Sequence, residues 1–147
     1  MRSYYKAYKK VGRINASLAE KLGFSFDGSV YASPGVLSHI KKHHGKQLTK
    51  MVKDNLINVI ESILEKPDYI GVDKKRGKKG ALELIKKVDS TLLLGLEVDL
   101  DEEYIYVSTL YPITKSKINN RIYSGRIIKY EDLEVDNMWN SKCWKKL

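Results

Sequence analysis

The spacing of apolar residues changes at Pro67, and that change limits the folds open to this chain. Before it, Met51, Val52, Leu56, Ile57, Ile60, Ile63 and Leu64 recur at helical intervals, predicting one amphipathic helix from Thr49 to Glu65. After it, "DYIGVD", "ALELIKKV", "TLLLGLEV", "YIYVSTLYPI" and "RIYSGRIIKY" read as strands. They are separated by the loop "KKRGKKG", a turn at Asp89–Ser90 and the acidic turn "DLDEE". Helices first and strands afterwards predict an α+β fold. Its N-terminal helices pack on one face of an antiparallel sheet of about four to five strands. The other face is left for a ligand.

Upstream, "NASLAEKLGF" predicts a short helix capped by Asn15 and ended by Gly23, and "SVYA" a brief strand. Ser33 and Pro34 are N-cap and first-turn signals for a further helix, with Val36, Leu37 and Ile40 as its apolar stripe. Gly45 is its expected left-handed stop. At 147 residues the chain suits a single domain. Residues 1–130 are expected to form it, with the core at about 29–130 and a tail from 131 that carries Trp139 and Trp144.

Several classes are excluded by composition. No run approaches the roughly 20 apolar residues of a membrane span, and "MRSYYKAYKKVGR" is basic without the apolar stretch of a secretory signal. No membrane association is expected, and a soluble, cytoplasmic protein is. Cys143, the single cysteine, excludes an intramolecular disulfide and a cysteine-based zinc site. The charge is +9, from 27 Lys plus Arg against 18 Asp plus Glu, and it favours a polyanionic partner through counterion release. Ten tyrosines add aromatic faces of the kind that stack on unpaired bases. The bland alternative is a basic surplus that only aids solubility.

All three histidines lie in "SPGVLSHIKKHHGKQL": His39, His43 and His44. On a helix His39 and His43 are about 40° apart and share a face, the spacing of a zinc pair. Yet Ile40 stands where a zinc hydrolase of this pattern needs its glutamate, and Lys41 and Lys42 set positive charge beside any cation. No metal and no cofactor is therefore expected. The second reading is proton transfer. Cutting RNA without metal needs one group to take the 2′-OH proton, another to protonate the departing 5′-oxygen, and cations to hold the charge between. On spacing alone, a surface helix that happens to carry histidines fits as well.

Other candidates lie further along. In "YVSTLYP", alternation puts Tyr104, Tyr106, Ser108 and Leu110 on one side and Ile105, Val107, Thr109 and Tyr111 on the other. A hydroxyl here could bond a phosphate oxygen, though Ser and Thr are also ordinary strand residues. Lys115, Lys117, Arg121 and Arg126 surround an expected turn at "SKINNR", and arginine's planar fork suits phosphate. Lys74, Lys75, Arg76, Lys78 and Lys79 form a loop patch expected to assist docking.

Together, "VYASPGVLSHIKKHHGKQL", "ILEKPDYIG", "YVSTLYPI" and "NRIYSGRIIKY" resemble the phage and prophage PBECR domains, which are grouped with barnase, EndoU, colicin-type ribonucleases and RelE. The resemblance covers roughly residues 10–130 and rests on His39, Ile40, Lys42, His44 and Gly45, then Pro67 and Asp68, then Thr109, Tyr111 and Pro112. It implies a barnase-like fold and a metal-independent ribonuclease of phage or prophage origin, often a toxin. RNA is then the expected partner, with an immunity or antitoxin protein as a second. The expected catalytic residues are His39 as base and His44 as acid, with Thr109 and Arg121 at the phosphate. Lys42, Ser108, Tyr111, Lys117 and Arg126 are expected to bind substrate. No sheet glutamate is tied to the histidines by sequence, although Glu83 and Glu97 lie on strands. A non-catalytic RNA-binding or interaction module on the same fold is the alternative. Metal-dependent DNA cleavage is a third reading, disfavoured because no carboxylate cluster offers itself.

Overall fold

The computed structural model describes residues 8–23, 26–73 and 79–135. Of the loop patch, Lys74, Lys75, Arg76 and Lys78 lie outside the described residues, as do Trp139, Cys143 and Trp144 of the tail. The elements in order are β1 (Lys9–Arg13), α1 (Ala16–Leu22), β2 (Ser29–Ala32), α2 (Pro34–His44), α3 (Lys50–Asp54) and α4 (Leu56–Glu65). They continue with β3 (Tyr69–Asp73), β4 (Lys79–Lys87), β5 (Thr91–Asp99), β6 (Tyr104–Pro112), α5 (Lys115–Tyr123), β7 (Ile127–Lys129) and α6 (Tyr130–Val135).

The class is α+β, but the sheet is larger than expected and mixed. Among the described residues, seven strands run in the order β1-β2-β6-β5-β4-β3-β7, and β2 pairs parallel to β6. The three short strands β1, β2 and β7 extend an antiparallel centre of β3 to β6. Val11, Ile14, Leu18, Ala19 and Leu22 are all buried in the hydrophobic core. At the other end α6 begins at Tyr130, which is itself buried in the core.

Local signals explain most boundaries. Asn15 caps α1 by accepting from the Leu18 amide, and Gly23 ends it in the left-handed conformation at φ 79°. Ser33 caps α2 through the Val36 amide, with Pro34 in the first turn. Gly45 departs from expectation, being right-handed at φ −59°. Glycine fits there because a Cβ would come within 2.1 Å of the Lys41 carbonyl oxygen. The expected helix over 49–65 is broken at Asn55 (φ −125°, ψ 37°) into α3 and α4. The break turns Met51 and Ile57 out to solvent, while Val52, Leu56, Ile60, Ile63 and Leu64 stay buried. Thr49 caps α3 and also donates to Asp89, tying the helical layer to the β4–β5 turn.

Helices α1 to α4 cover one sheet face, where Leu82, Leu84, Leu92, Leu94, Leu96, Val98, Ile105, Val107 and Leu110 point. Each fully buried Leu or Ile contributes about 1.5–3 kcal/mol. The second face carries a separate small core of Ile85, Leu93, Ile113, Ile118 and Ile127 beneath α5. "SKINNR" is thus helix and not turn. Thr114 starts it by accepting from the Lys117 amide.

Candidate functional site

On the second face, strand register lines up Gly71, Glu83, Gly95 and Thr109 across β3, β4, β5 and β6. Glycine on both sides of Glu83 leaves its carboxylate without side-chain walls in the row. The walls come from α5 and the turn after it. Glu83 Oε1 accepts from Arg121 Nε at 3.5 Å and Oε2 from Arg126 Nη2 at 3.1 Å. The Glu83 and Arg121 side chains are only 13% and 17% exposed, so the pair is shielded from bulk water.

The end of α5 explains how two arginines five residues apart reach one carboxylate. Gly125 is left-handed at φ 77°, its amide bonds the Ile122 carbonyl, and the Arg126 amide bonds Arg121 O at 2.9 Å. This is a Schellman stop, and it folds Arg126 back beside Arg121. On α5 itself Lys117, Asn120, Arg121 and Ser124 fall on one side by helical spacing. With Tyr111 and Arg126 they line an open cavity of about 540 Å³.

β6 completes the site through a bulge. Gly95 pairs with Thr109 but Leu96 pairs with Val107, so Ser108 is the extra residue. Simple alternation fails beyond it. Leu110 joins Ile105 and Val107 in the main core, while Thr109 and Tyr111 turn to the second face. A Cβ on Gly95 would stand 2.9 Å from Thr109 Cγ2 and 3.0 Å from Ser108 Oγ, so both side chains lean over the glycine towards Glu83. Gly95→Val is accordingly expected to lower stability by about 1–3 kcal/mol. A denaturant midpoint equal to wild type would show that the space over Gly95 is not filled in this way.

α2 brings the histidines to the free half of β6. β2 pairs with β6 only at Val30↔Ile105 and Tyr31↔Tyr106, and α2 then packs against β6 itself. His44 lies with its ring centroid 5.6 Å from that of Tyr111, a lining residue of the cavity. Its Nδ1 faces Gln47 Oε1 at a long 3.4 Å, which leaves Nε2 for proton exchange. His39 and His43 share a flank, as the spacing predicts, with ring centroids 4.1 Å apart. Leu37 and Lys41 line a groove against α3 and α4. His39, about 200° round the helix from Lys41, therefore lies on the flank turned away from that helical layer. Lys42 is exposed and about 200° round from the buried Ile40, so it points away from the sheet.

Beyond Glu83 the same face becomes aromatic. Tyr31 stacks on Tyr104 at 4.5 Å, and the Tyr106 hydroxyl donates to Glu97 Oε2 at 3.2 Å. Burial pushes both the Tyr104 and Tyr106 hydroxyls up to about 12, with Tyr31 adding to the first shift and Glu97 to the second. Both stay protonated at any ordinary pH.

Of the residues expected from sequence, Tyr111, Lys117, Arg121 and Arg126 meet at one cavity, Ser108 and Thr109 lean over Gly95 beside the Glu83 row, and His44 abuts the cavity through Tyr111. The described ring contact of His39 is with His43. Glu83, Asn120 and Ser124 belong to the site and were not anticipated as its members. A lone carboxylate in the apolar strand "ALELI", opposite the glycine of "LLLGLE", was the available signal for Glu83. Among the described residues, no three of His, Cys, Asp and Glu gather closely enough to share a metal ion. Among the described residues, no helix is long and apolar enough to cross a membrane.

No curated protein and no solved structure matches the chain. The family model described as phage-Barnase-EndoU-ColicinE5/D-RelE like nuclease3, PBECR3, matches residues 9–120. That span runs from β1 into α5 and takes in His39, His44, Glu83, Ser108, Thr109, Tyr111 and Lys117, while Arg121 and Arg126 follow it. The chain belongs to the PBECR3 family of barnase, EndoU, colicin and RelE-like nucleases.

Proposed function

We propose that this cleft is the active site of a metal-independent endoribonuclease. It would be encoded by a phage or prophage and act as a toxin or effector in the bacterial cytoplasm. The observation that carries the proposal is the gathering of Lys117, Arg121 and Arg126 on one cavity whose Tyr111 wall abuts His44. Three cations around one open space suit a phosphodiester, and the ring beside them can supply a proton. In the reaction, His39 takes the proton of a ribose 2′-OH and the 2′-oxygen bonds to phosphorus. The phosphorus–O5′ bond breaks, and His44 gives its proton to the leaving oxygen. Lys117, Arg121 and Arg126 hold the negative charge of the phosphorane, with Ser108 and Thr109 hydroxyls as further donors. The products are a 2′,3′-cyclic phosphate and a 5′-hydroxyl.

Glu83 has both oxygens engaged by arginine and therefore serves to position the cations and not to accept a proton. These same ion pairs favour a second reading, RNA binding without turnover, because phosphate must compete with Glu83 for the guanidinium groups. An immunity or antitoxin protein would be expected to cover the same basic cleft. The deciding experiment is incubation with RNA in excess EDTA, followed by analysis of the ends. Cyclic phosphate ends formed at an undiminished rate are expected. Cleavage abolished by EDTA would overturn the metal-free mechanism, and salt-sensitive binding with intact RNA would establish the non-catalytic reading.

A further inference from the structure

We infer that His39 and His43 form a two-imidazole chelate for a divalent transition-metal ion of the Ni²⁺ or Cu²⁺ type, and that filling it inhibits cleavage. The chelate rests on α2 alone, while the inhibition rests on His39 as the base of the proposed ribonuclease. The two side chains are one turn apart, both are exposed, and their ring centroids stand 4.1 Å apart. Two imidazoles bound at a right angle to one ion, with metal–nitrogen bonds of about 2.0–2.1 Å, put their centroids about 4.5 Å apart. A tetrahedral angle would require about 5.2 Å. The rings are therefore closer to the right-angled geometry that Cu²⁺ and Ni²⁺ favour than to the tetrahedral one of Zn²⁺.

The surroundings leave room for an ion. Helical side chains tilt towards the N-terminus, so His39 leans over Gly35 and His43 over His39. Nothing lies within 4 Å of where a Gly35 Cβ would stand, which leaves open space for the ion's remaining ligands. Lys41 is about 200° round from either histidine, on the side that meets α3 and α4. Lys42 and Lys46 are exposed on long stems, so water screens their repulsion of a cation. No third protein ligand gathers there among the described residues, so this is a surface chelate governed by the ion's concentration and not a structural centre. Its bearing on the reaction is direct. With one ring nitrogen on the metal and the other carrying its proton, His39 has no lone pair left for the 2′-OH.

The test uses the untagged full chain. Calorimetric titration with NiCl₂ alone, without RNA, is expected to show a single ion per chain. His39→Ala and His43→Ala should each weaken that binding by at least about tenfold, through loss of one arm of the chelate. His44→Ala should bind Ni²⁺ as wild type does. In single-turnover RNA cleavage, the Ni²⁺ concentration that half-fills the site should halve the wild-type rate, and EDTA should restore it. His43→Ala should cleave at the same rate with and without Ni²⁺. Mg²⁺ should neither bind nor inhibit, because it takes oxygen ligands. Ni²⁺ binding unaltered in both His39→Ala and His43→Ala overturns the chelate. Chelation through both histidines with cleavage unaffected by Ni²⁺ overturns the inhibition and takes His39 out of proton transfer. RNA left intact by the metal-free wild type would sink the ribonuclease reading and the inhibition with it, while the calorimetry still decides the chelate.

Discussion

His44→Ala is expected to slow single-turnover RNA cleavage by about 10²- to 10⁴-fold, the usual worth of one positioned proton-transfer group. The fold should survive, since His44 is half-buried at the end of α2 and Ile40, not His44, anchors that helix in the core. His39→Ala should show a loss of the same order. His43 supplies the internal control, because its ring stands 4.1 Å from that of His39 and both side chains are exposed. His43→Ala is expected to cleave within about threefold of wild type, well inside the loss expected for a proton-transfer group. Full activity in His44→Ala would remove it from the mechanism. An equal fall in all three variants would point to general loss of positive charge on α2.

The second large effect concerns Arg121. Its removal withdraws a cation from the cleft and leaves Glu83 with one guanidinium in place of two. Arg121→Ala is expected to lower kcat/KM by about 10²- to 10³-fold, as for loss of one charge-stabilising donor. It should also destabilise the protein by about 1–3 kcal/mol, the cost of a shielded charge losing a partner. Arg121→Lys should restore little, because a single ammonium cannot reproduce the planar fork. Glu83→Ala separates position from charge. If Glu83 acts through Arg121, the double variant is no slower than Arg121→Ala alone. Additive losses would give Glu83 a direct part in the chemistry.

Much of the architecture is legible in the chain because the apolar spacing differs so plainly on the two sides of Pro67. The central strands β3 to β6 and the caps at Asn15, Ser33 and Thr49 follow from local signals that the fold does not override. Three features are hidden for separate reasons. "SKINNR" carries the asparagines of a turn, and its helix forms because Ile118 has a small core to enter; Thr114 was the one visible start signal. The break at Asn55 costs no polar or turn residue that a helix forbids, so Met51 and Ile57 look inward until the layer above the sheet is seen. The bulge at Ser108 leaves no mark in β6 itself, and the glycine over which Ser108 and Thr109 lean, Gly95, lies across the sheet.

The candidate site was legible residue by residue but not as a constellation. Arg121 and Arg126 can be read as phosphate ligands from chemistry alone. That they share Glu83 depends on a left-handed glycine at 125 and on a strand register, neither of which short-range pattern reveals. The histidines are resolved similarly. Helical spacing pairs His39 with His43, while the contact that ties His44 to the cleft runs through Tyr111, 67 positions later in the chain (111 − 44).

The Schellman stop after Tyr123 turns the chain back onto the sheet that α5 covers. The segment from Thr114 to Arg126 rests on its own small core, outside the large one that holds the sheet to α1–α4. That small core is built on the same sheet, from Ile85, Leu93 and Ile127, and the Glu83 ion pairs fasten the segment to β4. Helix, stop and returning arginine thus work as a clasp latched to the sheet at both ends, by Ile118 in the small core and by Arg126 on Glu83.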